Sequence, residues 1–260
     1  MGSSRIALLC LVGLLVVAAS PVAIADEDDK IFYQITFMWP GAYCSQSNAG
    51  CCMPKGDVVP ASDFYVAGFT VYNARTNSPM TRCDNTPFNM NQLGDTTELK
   101  KYWNNIRCPS SNSERSWKKA WETSGVCSNL TESAYFDTAL AIRDKINPLA
   151  RLASNDIKPD FGLYSVEKIK EALEAGTGAP PLIQCSRGPQ RTYQLYQIYV
   201  CVAQDGETFV ECPAPKKPYT CSDRILFHTF KEWMLKNSTN TNSAYAAEAI
   251  DQLLQAAMEI

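Results

Sequence analysis

Phe37-Met38-Trp39-Pro40-Gly41-Ala42-Tyr43-Cys44, followed shortly by Cys51-Cys52, closes the first β-prone run of this chain. Ahead of it, Ile31 to Met38 is β-branched and aromatic, which predicts a strand, and Trp39-Pro40-Gly41 predicts the turn that stops it. Cysteines this dense raise the question of redox compartment. Residues 1–25 carry Arg5, an apolar run from Ile6 to Ala19, and Ala23-Ile24-Ala25 in the small-x-small pattern of a cleaved secretory signal. The run is short for a ~30 Å hydrocarbon core, which argues against a retained anchor. Cys10 leaves with this leader, and ten cysteines remain: Cys44, Cys51, Cys52, Cys83, Cys108, Cys127, Cys185, Cys201, Cys212 and Cys221. An even count in an exported chain implies disulfides. Zinc is disfavoured because neither Cys-x-x-Cys pairs nor histidine partners occur, so no metal and no cofactor is expected.

The 260 residues suit one sizeable domain, and 45% hydrophobic with 20% charged residues excludes a disordered or fibrous chain. Formal charge is 24 − 27 = −3, or 23 − 27 = −4 once Arg5 is removed, so any polyanion site must be a local patch. No segment after the leader is long and apolar enough to span a membrane, and none is expected as a partner. Histidine is the scarcest residue, with His228 alone, which excludes any mechanism needing two imidazoles.

Further strands are predicted at Phe64 to Tyr72, Thr192 to Val202, Glu207 to Glu211 and Arg224 to Phe230. Asp205-Gly206 supplies a tight hairpin that places Cys201 nearly opposite Cys212. Asp95 with Glu98 reads as a capping box opening a helix through Leu99, Tyr102 and Trp103 toward Cys108. Other helices are expected at Ser113 to Thr123, Thr131 to Lys145 and Ser165 to Ala175. Strands at both ends with helices between them give an α+β fold, with a central antiparallel sheet flanked by helices. From Ser243 to Ile260, Ala246, Ile250, Leu253, Leu254 and Ala257 recur at helical spacing. Two readings of that extra C-terminal helix stay open: packing on its own domain, or docking a protein partner. Asn129-Leu130-Thr131 and Asn237-Ser238-Thr239 are glycosylation sequons.

The opening stretch, together with Lys100-Lys101-Tyr102-Trp103 leading to Cys108-Pro109-Ser110, and Trp117 and Trp121 leading to Gly125-Val126-Cys127, resembles the ribonuclease T2 family, in particular the plant S-like ribonucleases. The likeness runs from about Ile31 to Phe230. With the signal peptide read at 1–25, it implies a ribonuclease T2-like domain at 26–230, followed by a C-terminal extension at 231–260. It also implies bridges joining Cys44 with Cys51, Cys52 with Cys108, Cys83 with Cys127, Cys185 with Cys221, and Cys201 with Cys212.

In that family one histidine withdraws the 2′-hydroxyl proton of RNA and a second protonates the leaving oxygen, while lysine and glutamate steady the phosphorane. Imidazole suits both transfers because its pKa of ~6.5 lies near the working pH. The family's Phe-x-Ile-His-Gly-Leu-Trp-Pro aligns with Phe69-Thr70-Val71-Tyr72-Asn73-Ala74-Arg75-Thr76, so Tyr72 stands at the first histidine. Where the family has His-Glu, two spacer residues and Lys-His-Gly, this chain has Lys119, Ala120, Trp121, Glu122, Thr123, Ser124 and Gly125. Tyrosine and lysine have reference pKa values of ~10 and ~10.4 and are poor bases at neutral pH. The resemblance therefore implies an inactive secreted or vacuolar homologue with a storage, stress or defence role. The alternatives are a residual endoribonuclease forming 2′,3′-cyclic phosphates, and a non-cleaving RNA-binding module. For weak RNA or fragment binding the candidates are Met38, where the family often has glutamine, Trp39, Arg115, Lys118 and Lys119. His228 is read as a satisfied structural histidine.

Overall fold

A computed structural model describes residues 30–46, 50–56, 58–188 and 191–236. The leader at 1–25, the sequon at Asn237 and the expected helix at 243–260 lie outside them. β1 (Ile31–Met38) spans the β-branched run and sits centrally in the sheet. The expected turn after it is instead helix α1 (Pro40–Gln46). Proline at the first helical position has its φ already set and no N–H to leave unpaired, so Pro40 starts a helix as readily as it ends a strand. Gly41 follows for a steric reason: a Cβ there would collide with the Thr229 carbonyl oxygen.

Short β2 (Cys51–Cys52) precedes β3 (Tyr65–Asn73) and β4 (Ser78–Pro79). Helices α2 (Thr97–Tyr102), α3 (Glu114–Thr123), α4 (Glu132–Ile146) and α5 (Pro148–Ser154) follow. The rest is β5 (Leu163–Ser165), α6 (Val166–Thr177), β6 (Leu182–Arg187), β7 (Tyr193–Ala203), β8 (Phe209–Val210), β9 (Arg224–Leu226) and β10 (Leu235–Lys236). The main sheet runs β4-β3-β1-β7-β9-β5, with β6 and β8 also paired to β7. β1 is antiparallel to both neighbours, Ile35 facing Phe69 on β3 and Val200 on β7. The sheet is mixed, because β7 and β9 meet in parallel at Gln194 and Leu226. The α+β architecture stands with that one departure from the antiparallel pattern.

Alternation along β1 divides the molecule. Tyr33, Ile35 and Phe37 are buried in the main core. There Phe69 stacks on Tyr33 and packs against Tyr135 of α4, whose hydroxyl donates to the Phe69 carbonyl oxygen. Phe32 belongs to a second, smaller cluster with Cys201 and Cys212, against which Tyr72 packs. Thr131 caps α4 by accepting the Ala134 N–H, and Gly178 at φ +72° closes α6.

Two expected features do not form. Asp95 accepts the Thr97 N–H and hydroxyl instead of capping through Glu98, which pairs with Lys101 at 2.7 Å. The helix consequently starts at Thr97 and ends at Tyr102, short of Cys108. The strand expected to reach Phe230 stops at Leu226, although Phe227 still exchanges backbone hydrogen bonds with Phe161 and Gly162.

The disulfides are Cys44–Cys51, Cys52–Cys108, Cys83–Cys127, Cys185–Cys221 and Cys201–Cys212, the pairs that the resemblance implies. A second sheet pairs β10 with β2 in parallel, Leu235 opposite Cys51 and Lys236 opposite Cys52, which carries the folded unit past Phe230.

Candidate functional site

Helix α3 turns its two tryptophans inward. Trp117 donates its indole N–H to the Trp103 carbonyl oxygen at 2.6 Å, and Trp121 donates to that of Thr86 at 3.2 Å. With these residues fixed, Lys119, Ala120, Thr123 and Ser124 face a cleft of about 350 Å³, whose other wall is Gly68, Phe69 and Thr70 of β3. The Ser124 hydroxyl accepts the Val71 N–H at 2.8 Å, binding the end of the helix to the strand. Gly125 comes next because a Cβ there would strike the Trp121 ring, and Cys127 is bridged to Cys83. Four residues read from the second family motif thus share one cavity.

The residue read from the first motif does not line that cavity. Tyr72 stacks on Phe32 with centroids 5.1 Å apart and donates its hydroxyl to Gln34 Oε1 at 3.2 Å. Burial, reinforced by nearby Tyr219, pushes its phenol above the usual tyrosine value, the direction opposite to that of a working base.

A second cleft of about 170 Å³ adjoins the first through Ala67, Trp103 and Ser116. Met38, Tyr43, Asn105 and Arg107 line it. Asn105 is held in place, accepting the Arg107 N–H at 3.1 Å and donating to Ser111 at 3.0 Å. Sequence reading missed Asn105 and Arg107 because nothing but their position between Trp103 and Cys108 marks them.

The five residues read as RNA contacts separate. Lys119 and Met38 line the joined clefts. Arg115 and Lys118 are exposed but line neither, and Lys118 pairs with Glu122 at 3.7 Å. Trp39 is a correction: it is 1% exposed, donates to the His228 carbonyl oxygen at 2.6 Å, and packs among Phe64, Phe227 and Phe230. A core indole with its N–H already used cannot stack on a base.

His228 is completely buried beside Phe161 and lines neither cleft. It is only half satisfied: Nδ1 meets the Thr229 carbonyl oxygen at 2.7 Å, while Nε2 has no hydrogen-bond partner. Burial holds its pKa below the ordinary value, although the Thr229 contact pulls the other way. The unfolded chain then takes up a proton near pH ~6.5 while the folded chain resists it, so stability is full above that pH and is lost as pH falls through the window below it. Thermal midpoints of the parent and His228→Leu between pH 5 and 8 should diverge in the variant's favour on acidification. Parallel profiles would refute this.

Among the described residues no group of three or more His, Cys, Asp or Glu could hold a metal ion. No helix among them is long and apolar enough to cross a membrane.

The sequence matches the Ribonuclease T2 family over residues 30–212. Ribonuclease 1 of Arabidopsis thaliana is 35% identical, covering 86% of this chain and 98% of its own length. The ribonuclease-like storage protein of Panax ginseng is 32% identical, over 70% of this chain and 74% of its own. The solved structure of RNase NT in complex with 5′-AMP is similar with a TM-score of 0.71 at 34% identity, covering 77% of this chain and 98% of that one. The match to the family spans every strand of the main sheet except β9, the cleft-forming helix and four complete disulfides. The chain belongs to the ribonuclease T2 family.

Proposed function

We propose that this chain is a non-catalytic ribonuclease T2-family protein, exported to the cell exterior or the vacuole, with a storage, stress or defence role. The observation that carries the reading is the absence of imidazole from the cleft: the chain's one histidine is sealed in the core. Losing a general acid or base typically lowers a rate ~10²- to 10⁴-fold per group. The Panax ginseng relative's name supports a storage role. The leader at 1–25 and the five disulfides support export. Asn129 is exposed at φ +60°, which suits it as a glycan acceptor, and Asn237 is a second candidate.

Purified, refolded protein incubated with single-stranded RNA between pH 4 and 8 should yield no 2′,3′-cyclic-phosphate products. Turnover abolished by Lys119→Ala or Tyr72→Phe would overturn the proposal. Turnover surviving both substitutions would point to contamination.

The joined clefts favour one second reading, weak capture of RNA fragments, with Lys119 meeting a phosphate and the cleft of Met38 and Asn105 meeting a base. Its signature is affinity for a labelled oligonucleotide that falls with salt and is reduced by Lys119→Ala. Affinity indifferent to salt would count against it.

A further inference from the structure

A third cavity, of about 240 Å³, opens on a different face of α3. Half-buried Val58 and Met90 supply its apolar surface over a floor of buried Pro54 and Trp117, and Lys55 and Lys100 supply its cations. Neither lysine has an ion-pair partner among the described residues. Glu114 also lines it, accepting from the Asn112 amide at 3.2 Å, so the lining carries two cations against one carboxylate. Two unpaired ammonium groups beside an apolar hollow suit an amphipathic, acidic occupant.

The chain carries such a segment, and the described fold ends beside the cavity. β10 runs parallel to β2, and Met53 donates its N–H to the Lys236 carbonyl oxygen at 3.0 Å. The chain therefore leaves the described fold at Lys236, abreast of Met53 and heading the way β2 heads, toward Pro54 and Lys55. The following 237–260 contain Glu248, Asp251 and Glu259 and neither lysine nor arginine. On a helix, Ile250, Leu253 and Leu254 form one stripe, and Asp251 flanks it about 60° round from Leu254, within reach of a flexible lysine; Glu248 and Glu259 lie on the far side. Thirteen residues lie between Lys236 and Ile250, and at up to ~3.3 Å per residue the span is ample.

We propose that segment 243–260 docks in cis on this cavity, its Ile250-Leu253-Leu254 stripe against Val58 and Met90 and its Asp251 beside Lys55 and Lys100. The surface is separate from the degenerate cleft, so the proposal stands whether or not the chain cleaves RNA.

The test uses the full chain. Zero-length carboxylate–amine cross-linking mapped by mass spectrometry has an internal standard in Lys101–Glu98, already paired at 2.7 Å. Asp251 should join Lys55 or Lys100 within the monomer. Amides of 246–257 should exchange roughly tenfold more slowly than in Leu253→Asp/Leu254→Asp, whose changes lie outside the described domain. Lys55→Glu/Lys100→Glu should lose that protection, and adding Asp251→Lys should restore it. The proposal fails if the standard cross-links while Asp251 reaches neither lysine, if the link appears only between two copies, or if exchange ignores the charge reversal.

Discussion

Replacing Arg143 with alanine should lower folding stability by about 3 to 5 kcal/mol, because it strands a buried carboxylate. Arg143 lies on α4 with its side chain 6% exposed. Its guanidinium binds Asp63, reaches Asp144 at 2.6 Å, and lies over the Tyr102 ring at 3.5 Å. It thereby joins α4, α2 and the approach to β3. Asp63 is already uncomfortable: burial raises its pKa, against the pull of Arg143 and of the Phe64 N–H at 2.7 Å. Without the guanidinium that pKa must rise further. A folded-state value above the unfolded ~3.9 means that the folded chain binds more protons, so the penalty is full above the folded pKa and disappears below the unfolded one. Denaturant midpoints should therefore show a larger loss at pH 7 than at pH 4. The double variant Arg143→Ala/Asp63→Asn should recover part of the loss, since it leaves no buried unpaired charge, Asp144 being exposed. An equal loss at both pH values would assign the whole effect to lost packing on Tyr102.

This pair also shows where sequence reading stops. The α4 helix is legible as a helix from Thr131 to Lys145 and β1 from its side-chain types, since both signals are local. That Arg143 meets Asp63 depends on how α4 crosses the sheet, and no pattern within either segment encodes that crossing. The same holds for β2 with β10: two-residue strands carry no periodicity, so nothing in either segment marks their parallel pairing beside Cys44–Cys51 and Cys52–Cys108. At the cleft, the second motif lies on one helix, and its residues arrive together because consecutive turns share a face. Tyr72 sits on a strand, where its partners are set by register across β1, which places it against Phe32 and Gln34.

Met38, the last residue of β1, and Trp39, which joins it to α1, should give opposite results when truncated. Trp39→Ala removes a wholly buried indole from among Phe64, Phe227 and Phe230 and leaves the His228 carbonyl oxygen without its donor. About 3 to 5 kcal/mol of stability should go with it, since tryptophan truncation in a core combines lost transfer energy with a cavity. Trp39→Phe keeps much of the packing but not the hydrogen bond, so its loss should be smaller and should include the bond's share, of order 1 kcal/mol. Met38 alternates to the other face and is only half buried in the second cleft, so Met38→Ala should move the denaturation midpoint far less. In nucleotide titrations the order reverses: Met38→Ala should alter whatever affinity the clefts have, while Trp39→Phe should leave it unchanged. Should Trp39→Phe instead abolish nucleotide binding with the midpoint intact, the indole would have to reach the cleft surface, and its assignment to the core would be wrong.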